Sequence, residues 1–265
     1  MALCEPTRYI SITDCRNTII VTHESVAPPD EARIEKVDDT HYRVKSTGEL
    51  LEYKERSETK GDNHESALKS FARLKAIINC NYETPSWCKF LTLTYKQNMQ
   101  DNERIREDLQ PFMRKLHRKY GDFEYIYVKE KQARGAWHVH MILFFDDVAP
   151  WMDNEDVRKL WGHGFVNVQG FRDDINNLGN YLCAYLTDGG RNSKKGVRLD
   201  NYESGIRLFN CSKGVKRPNK YRISYENYLD IASDENYVLL SEKETFIKCI
   251  GGNPIYLKRE IFAVM

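Results

Sequence analysis

His138 and His140 stand two residues apart in the apolar run WHVHMILFF (137–145). Side chains alternate across a strand, so both imidazoles face one side and Val139 faces the other. The run FEYIYVKE (123–130) precedes it, across the short basic turn KQARGA. A simple hairpin through that turn brings Glu130 opposite His138, and its carboxylate becomes a candidate third ligand. Two imidazoles and a carboxylate with open positions suit Mn2+ or Mg2+ in Lewis-acid work. A lone H-x-H on a strand is also compatible with ordinary hydrogen bonding, and the placing of Glu130 favours the metal. Lys129, Lys131 and Arg134 lie around the turn as candidates to meet a phosphate backbone.

A second constellation is the pair Tyr181 and Tyr185. Four residues apart on a helix, they share one face. The apolar stripe of that helix is Ile175, Leu178, Leu182 and Leu186. Both tyrosines fall at its edge, Tyr181 further out, where a ring packs while its hydroxyl reaches a cleft. Amphipathic packing is the competing role. Between Gly189 and Lys220 there are nine Lys/Arg and two acidic residues, although the whole chain carries only +1. Arg191, Lys194, Lys195, Lys213, Lys216 and Arg217 in this stretch are candidate nucleic-acid contacts.

These residues need elements to hold them. Lys89–Tyr95 reads as a strand and 102–120 as a helix with the stripe Ile105, Leu109, Phe112 and Leu116. Pro111 inside that stripe predicts a kink or a restart. Phe123–Glu130 and Trp137–Phe145 are strands, Asn154–Trp161 a helix, Phe165–Gln169 a strand and Asp173–Thr187 a helix. The order is α+β, ferredoxin-like, with a central antiparallel sheet flanked by helices. Residues 86–220 form this domain, with accessory segments at 1–85 and 221–265. The first segment holds a strand at Ile19–Val21, a hairpin turning at Thr47-Gly48, and a helix through Leu68, Phe71, Leu74, Ile77 and Ile78.

Five blocks occur in one order: FLTLTY, EKQARGAWHVH, LWGHGFVNV, NYLCAYLT and SKGVKRP. Together, across residues 86–220, they resemble the HUH endonucleases, specifically the rolling-circle replication initiators of small plasmids and of filamentous and microvirus-like phages. The resemblance implies that Glu130, His138 and His140 bind the divalent ion and that Tyr181, Tyr185 or both in turn attack DNA. The implied enzyme is a single-strand nickase and ligase that works through a 5′-phosphotyrosine. Its implied partners are single-stranded or extruded origin DNA of a plasmid or phage, with a host helicase and polymerase; a homodimer is compatible. Many relatives carry a lysine three residues after the tyrosine, where this chain has Ala184 or Asp188, and Lys194 and Lys195 are the nearest substitutes. Trp137 and Trp161 are candidates to stack on bases, with core packing favoured for Trp161. A transposase or relaxase of the same type, or an inactive DNA-binding regulator of the same fold, are the alternatives.

Composition narrows the field. With 41% hydrophobic and 30% charged residues the chain reads as a soluble globular protein. No run is long and apolar enough to span a bilayer, and no secretory signal is evident, so the cytoplasm is the expected compartment. Seven cysteines without a C-x-x-C pair argue against a zinc ribbon or a disulfide framework. There is no phosphate-binding P-loop, hence no recognisable nucleotide-driven motor.

Overall fold

The computed structural model describes residues 9–25, 34–45, 47–53, 64–131, 135–171, 206–247 and 255–265. Contacts divide the chain into two compact units, one of residues 15–17 and 58–218, the other of 1–14, 18–57 and 219–265.

The first unit carries the site. It contains strands β6 (Cys88–Thr94), β7 (Glu124–Lys131), β8 (Trp137–Phe144), β9 (Val166–Gln169) and β10 (Phe209–Cys211). They form one antiparallel sheet in the order β10-β7-β8-β6-β9. Helix α2 (Arg104–Tyr120) links β6 to β7, and α3 (Asn154–Trp161) links β8 to β9. Each helix therefore connects two strands that have a third inserted between them. This is the α+β class that the element order predicts. β8 lies at the centre, and its residues are almost all buried, which accounts for the unbroken apolar run 141–144.

Local chemistry sets the helix limits. The Asp153 carboxylate caps α3 by accepting from the backbone N–H groups of Glu155 at 2.9 Å and Asp156 at 3.2 Å. Gly162 ends it in the left-handed region at φ 75°. α2 runs unbroken through Pro111, where a kink or restart is predicted. Ile105, Leu109, Phe112 and Leu116 on its inner stripe are buried, and this packing offsets the hydrogen bond that the proline removes.

Helix α1 (His64–Asn81) departs from the sequence-based division at residue 85. Phe71, Leu74, Ile77 and Ile78 belong to the same core as β6 and β8. Its last residue, Asn81, holds Lys216 through both backbone groups, donating to the carbonyl at 3.0 Å and accepting from the N–H at 2.9 Å. Composition grouped this helix with its polar neighbours, whereas its buried stripe ties it to the sheet that begins at β6.

The other unit has a five-stranded antiparallel sheet in the order β11-β1-β2-β13-β12. Its strands are β1 (Tyr9–Asp14), β2 (Thr18–Glu24), β11 (Asn219–Ile223), β12 (Tyr237–Ile247) and β13 (Ile255–Val264). Helix α4 (Tyr225–Ser233) belongs to this unit, as does a small sheet of β3 (Ile34–Lys36), β4 (His41–Val44) and β5 (Leu50–Glu52). The hairpin predicted around Thr47-Gly48 is β4–β5, with Gly48 at φ 73°. Ile10, Ile12, Ile19, Val21 and Phe262 make the unit's core.

Candidate functional site

The register of β7 and β8 pairs Glu130 with His138 and Val128 with His140. On the other side β6 pairs Thr94 with His138 and Thr92 with His140. Directly paired residues of antiparallel strands point to one face, so Glu130, His138, His140, Thr92 and Thr94 share a surface. One ligand atom from each of Glu130, His138 and His140 lies within 4.8 Å of the other two. His140 Nε2 meets the Glu130 carboxylate at 2.6 Å, and its Nδ1 lies 3.3 Å from the Thr92 hydroxyl. The ring is 5% exposed and stacks on Phe90, with the planes 3° apart. Hydrogen bonding at Nδ1 leaves Nε2 as the natural donor to a cation. The donor set, two imidazoles and a partly exposed carboxylate, fits a hard-to-borderline divalent ion with room for phosphate oxygens.

Alternation also corrects part of the sequence reading. Lys129 and Lys131 fall on the face opposite Glu130. Lys129 is 6% exposed and donates to the Asn102 side chain, so it is a structural cation and not a phosphate contact. Trp137 is only 1% exposed, with its indole N–H bonded to the Gln100 carbonyl at 2.8 Å. It is therefore a core residue and no stacking platform, and Trp161 at 2% is likewise core. Lys213, Lys216 and Arg217 lie between β10 and β11. Lys216 is 3.9 Å from Glu83, and Arg217 donates to Cys211 Sγ at 2.9 Å. Tyr181, Tyr185, Arg191, Lys194, Lys195 and Arg134 lie outside the described residues.

One cluster was not anticipated. The ends of FLTLTY and LWGHGFVNV interlock: the Thr94 N–H donates to the Phe165 carbonyl at 2.9 Å, and the Lys96 N–H to that of His163 at 2.8 Å. Tyr95 donates to the buried Asp108 carboxylate at 3.1 Å, with Arg104 Nε and His163 Nε2 at 3.3 and 3.5 Å from it. Burial, then the charge of Asp108, push the Tyr95 phenol well above its usual range. This phenol stays protonated and is a brace, not a nucleophile. Two motif blocks that each read as separate strand ends were the only signal for it.

With this geometry in place, the comparisons are informative. Residues 88–190 match a family of replication-associated proteins, the ORF2 type. That match supports a replication initiator of the Rep type, with DNA as its partner. The matched stretch includes Glu130, His138 and His140, and also Tyr181 and Tyr185. No curated protein and no solved structure matches the chain. Among the described residues, no helix is long and apolar enough to cross a membrane.

Proposed function

We propose that this chain is a metal-dependent, HUH-type single-strand endonuclease that initiates rolling-circle replication. The observation that carries the reading is the convergence of Glu130, His138 and His140 on one sheet face, within a stretch matching replication-associated proteins. The strand order, with each helix bridging an inserted strand, supports the ferredoxin-like assignment. When bound at these residues, a divalent cation supplies Lewis-acid polarisation of a phosphate oxygen. Tyr181 or Tyr185 is the nucleophile. Its phenol oxygen bonds to the scissile phosphorus as the P–O3′ bond breaks, the phenolic proton passes to a base, and the strand leaves with a 3′-hydroxyl. The phosphotyrosine stores the bond energy for later rejoining, and the 3′-hydroxyl primes a polymerase.

The test is a covalent adduct between the purified chain and a pool of single-stranded DNA oligonucleotides with Mn2+, resolved under denaturing conditions. The Tyr181→Phe, Tyr185→Phe double variant is expected to form none, and undiminished adduct from it would remove the tyrosines from the mechanism. His138→Ala and His140→Ala should each drop to background at low Mn2+. Mass spectrometry of the adduct peptide names the attacking residue.

A further inference from the structure

The face of the sheet opposite the metal ligands carries a groove of about 1440 Å³ between α2, β7 and the β10 edge. Its α2 wall presents Arg106, Gln110 and Arg114, spaced four residues apart and all exposed. Such spacing makes a single ridge, and from Arg106 to Arg114 it is about 12 Å long. Tyr125 and Tyr127 on β7 lie in the floor. They are half-buried, and their rings stack with centroids 6.3 Å apart and planes inclined by 21°. Lys213 and Asn210 line the far wall, and Lys131 closes one end above the Trp137 ring. Six Lys/Arg line the groove against three acidic residues, in a chain whose overall charge is only +1.

We infer that this groove is a second, non-catalytic binding site for single-stranded DNA. The ridge of arginines supplies cations for successive phosphates, and the tyrosine pair supplies flat faces for unpaired bases. Duplex DNA would bring phosphates to the arginines but keep its bases from the half-buried floor, so the floor selects an unpaired strand. Strand alternation separates the two sites: Tyr125, Tyr127 and Lys131 point away from the surface that holds Glu130. A chain that cuts one strand on one face thus has a place to hold a strand on the other. The inference rests on DNA being the partner, and not on the nicking chemistry.

The experiment measures fluorescence anisotropy of a labelled oligo(dT), about 20 nucleotides long, with the full chain in EDTA across a salt series. The Arg106→Glu, Arg114→Glu double variant alters only exposed positions, and a melting curve checks that it folds. Its Kd is expected to rise at least tenfold, with a log–log salt slope shallower by about 1.4, or roughly 0.7 per lost phosphate contact. Tyr127→Leu keeps apolar volume but removes the stacking face, and should weaken binding at least fivefold. Wild-type affinity and slope in the arginine variant would overturn the proposal, as would tighter binding of a duplex of equal length. Adduct formation with Mn2+, run in parallel, separates the two readings. Groove-dependent binding without any wild-type adduct retires the nicking proposal alone. Normal adduct with groove variants that bind like wild type retires the groove alone.

Discussion

His140 has a neighbour at each ring nitrogen, and those neighbours determine what the ring can do. Glu130 sits at Nε2 and Thr92 at Nδ1. A hydroxyl at Nδ1 orients the ring and holds its tautomer, which is what a metal-binding imidazole needs. Thr92→Val keeps the shape and removes the hydroxyl. Mn2+ affinity, measured by calorimetry, is expected to fall about tenfold with the fold intact. Unchanged affinity would mean that stacking on Phe90 alone orients the ring. At this scale the sequence was legible wherever the period of two applied. The pairing of Glu130 with His138 follows from alternation and a short hairpin. The same alternation puts Lys129 and Lys131 on the reverse face, which proximity in sequence had obscured. Thr92 was not legible, because only the β6–β8 register brings it to His140.

At the level of elements, the loop after α3 locks against the end of β6. A Cβ on Gly164 would lie 2.2 Å from the Thr94 carbonyl oxygen and 2.6 Å from the Lys96 nitrogen, both backbone atoms. Neither can step aside without moving the strand. Gly164→Ala is therefore expected to cost about 2 kcal/mol in urea denaturation. Because Thr94 pairs with His138, the displaced strand end should also weaken Mn2+ binding. A variant as stable as wild type would show that the loop can retreat. The elements from β6 to β9 were readable from hydrophobic periodicity, with only their ends shifted slightly. Pro111 misled because its cost was read without the packed stripe that offsets it. β10 was missed: three residues paired to an edge carry too little pattern to read.

Across the whole molecule, the terminal segments that looked like separate accessories share one sheet. β2 pairs with β13, and β1 with β11. No local pattern announces pairings over such sequence separations, so this unit stayed unread. Its centre is a buried charge network in which Glu260 accepts from His23 at 2.7 Å, Lys258 at 2.9 Å and Tyr228 at 3.2 Å. Burial alone would raise the Glu260 pKa, but the bonds from Lys258, His23 and Tyr228 outweigh it and lower the value. A lowered carboxyl contributes stability that is present above its unfolded value, about 4.3. That contribution is lost as pH falls through the still lower folded value. Glu260→Gln should cost about 3 kcal/mol at pH 7, and the gap to wild type should narrow on acidification in thermal melts. A gap independent of pH would assign the cost to packing. The β2–β13 pairing also imposes an order on synthesis. Residues 58–218 are complete while residues 219–265 are still to be made. At ~5–20 residues per second that wait lasts about 2–9 s. For that interval β1 and β2 lack their later partners, and Ile10, Ile12 and Val21 await the Phe262 they pack with. The nascent chain is then a client for chaperones at its earliest strands, while the domain made after them is already folded.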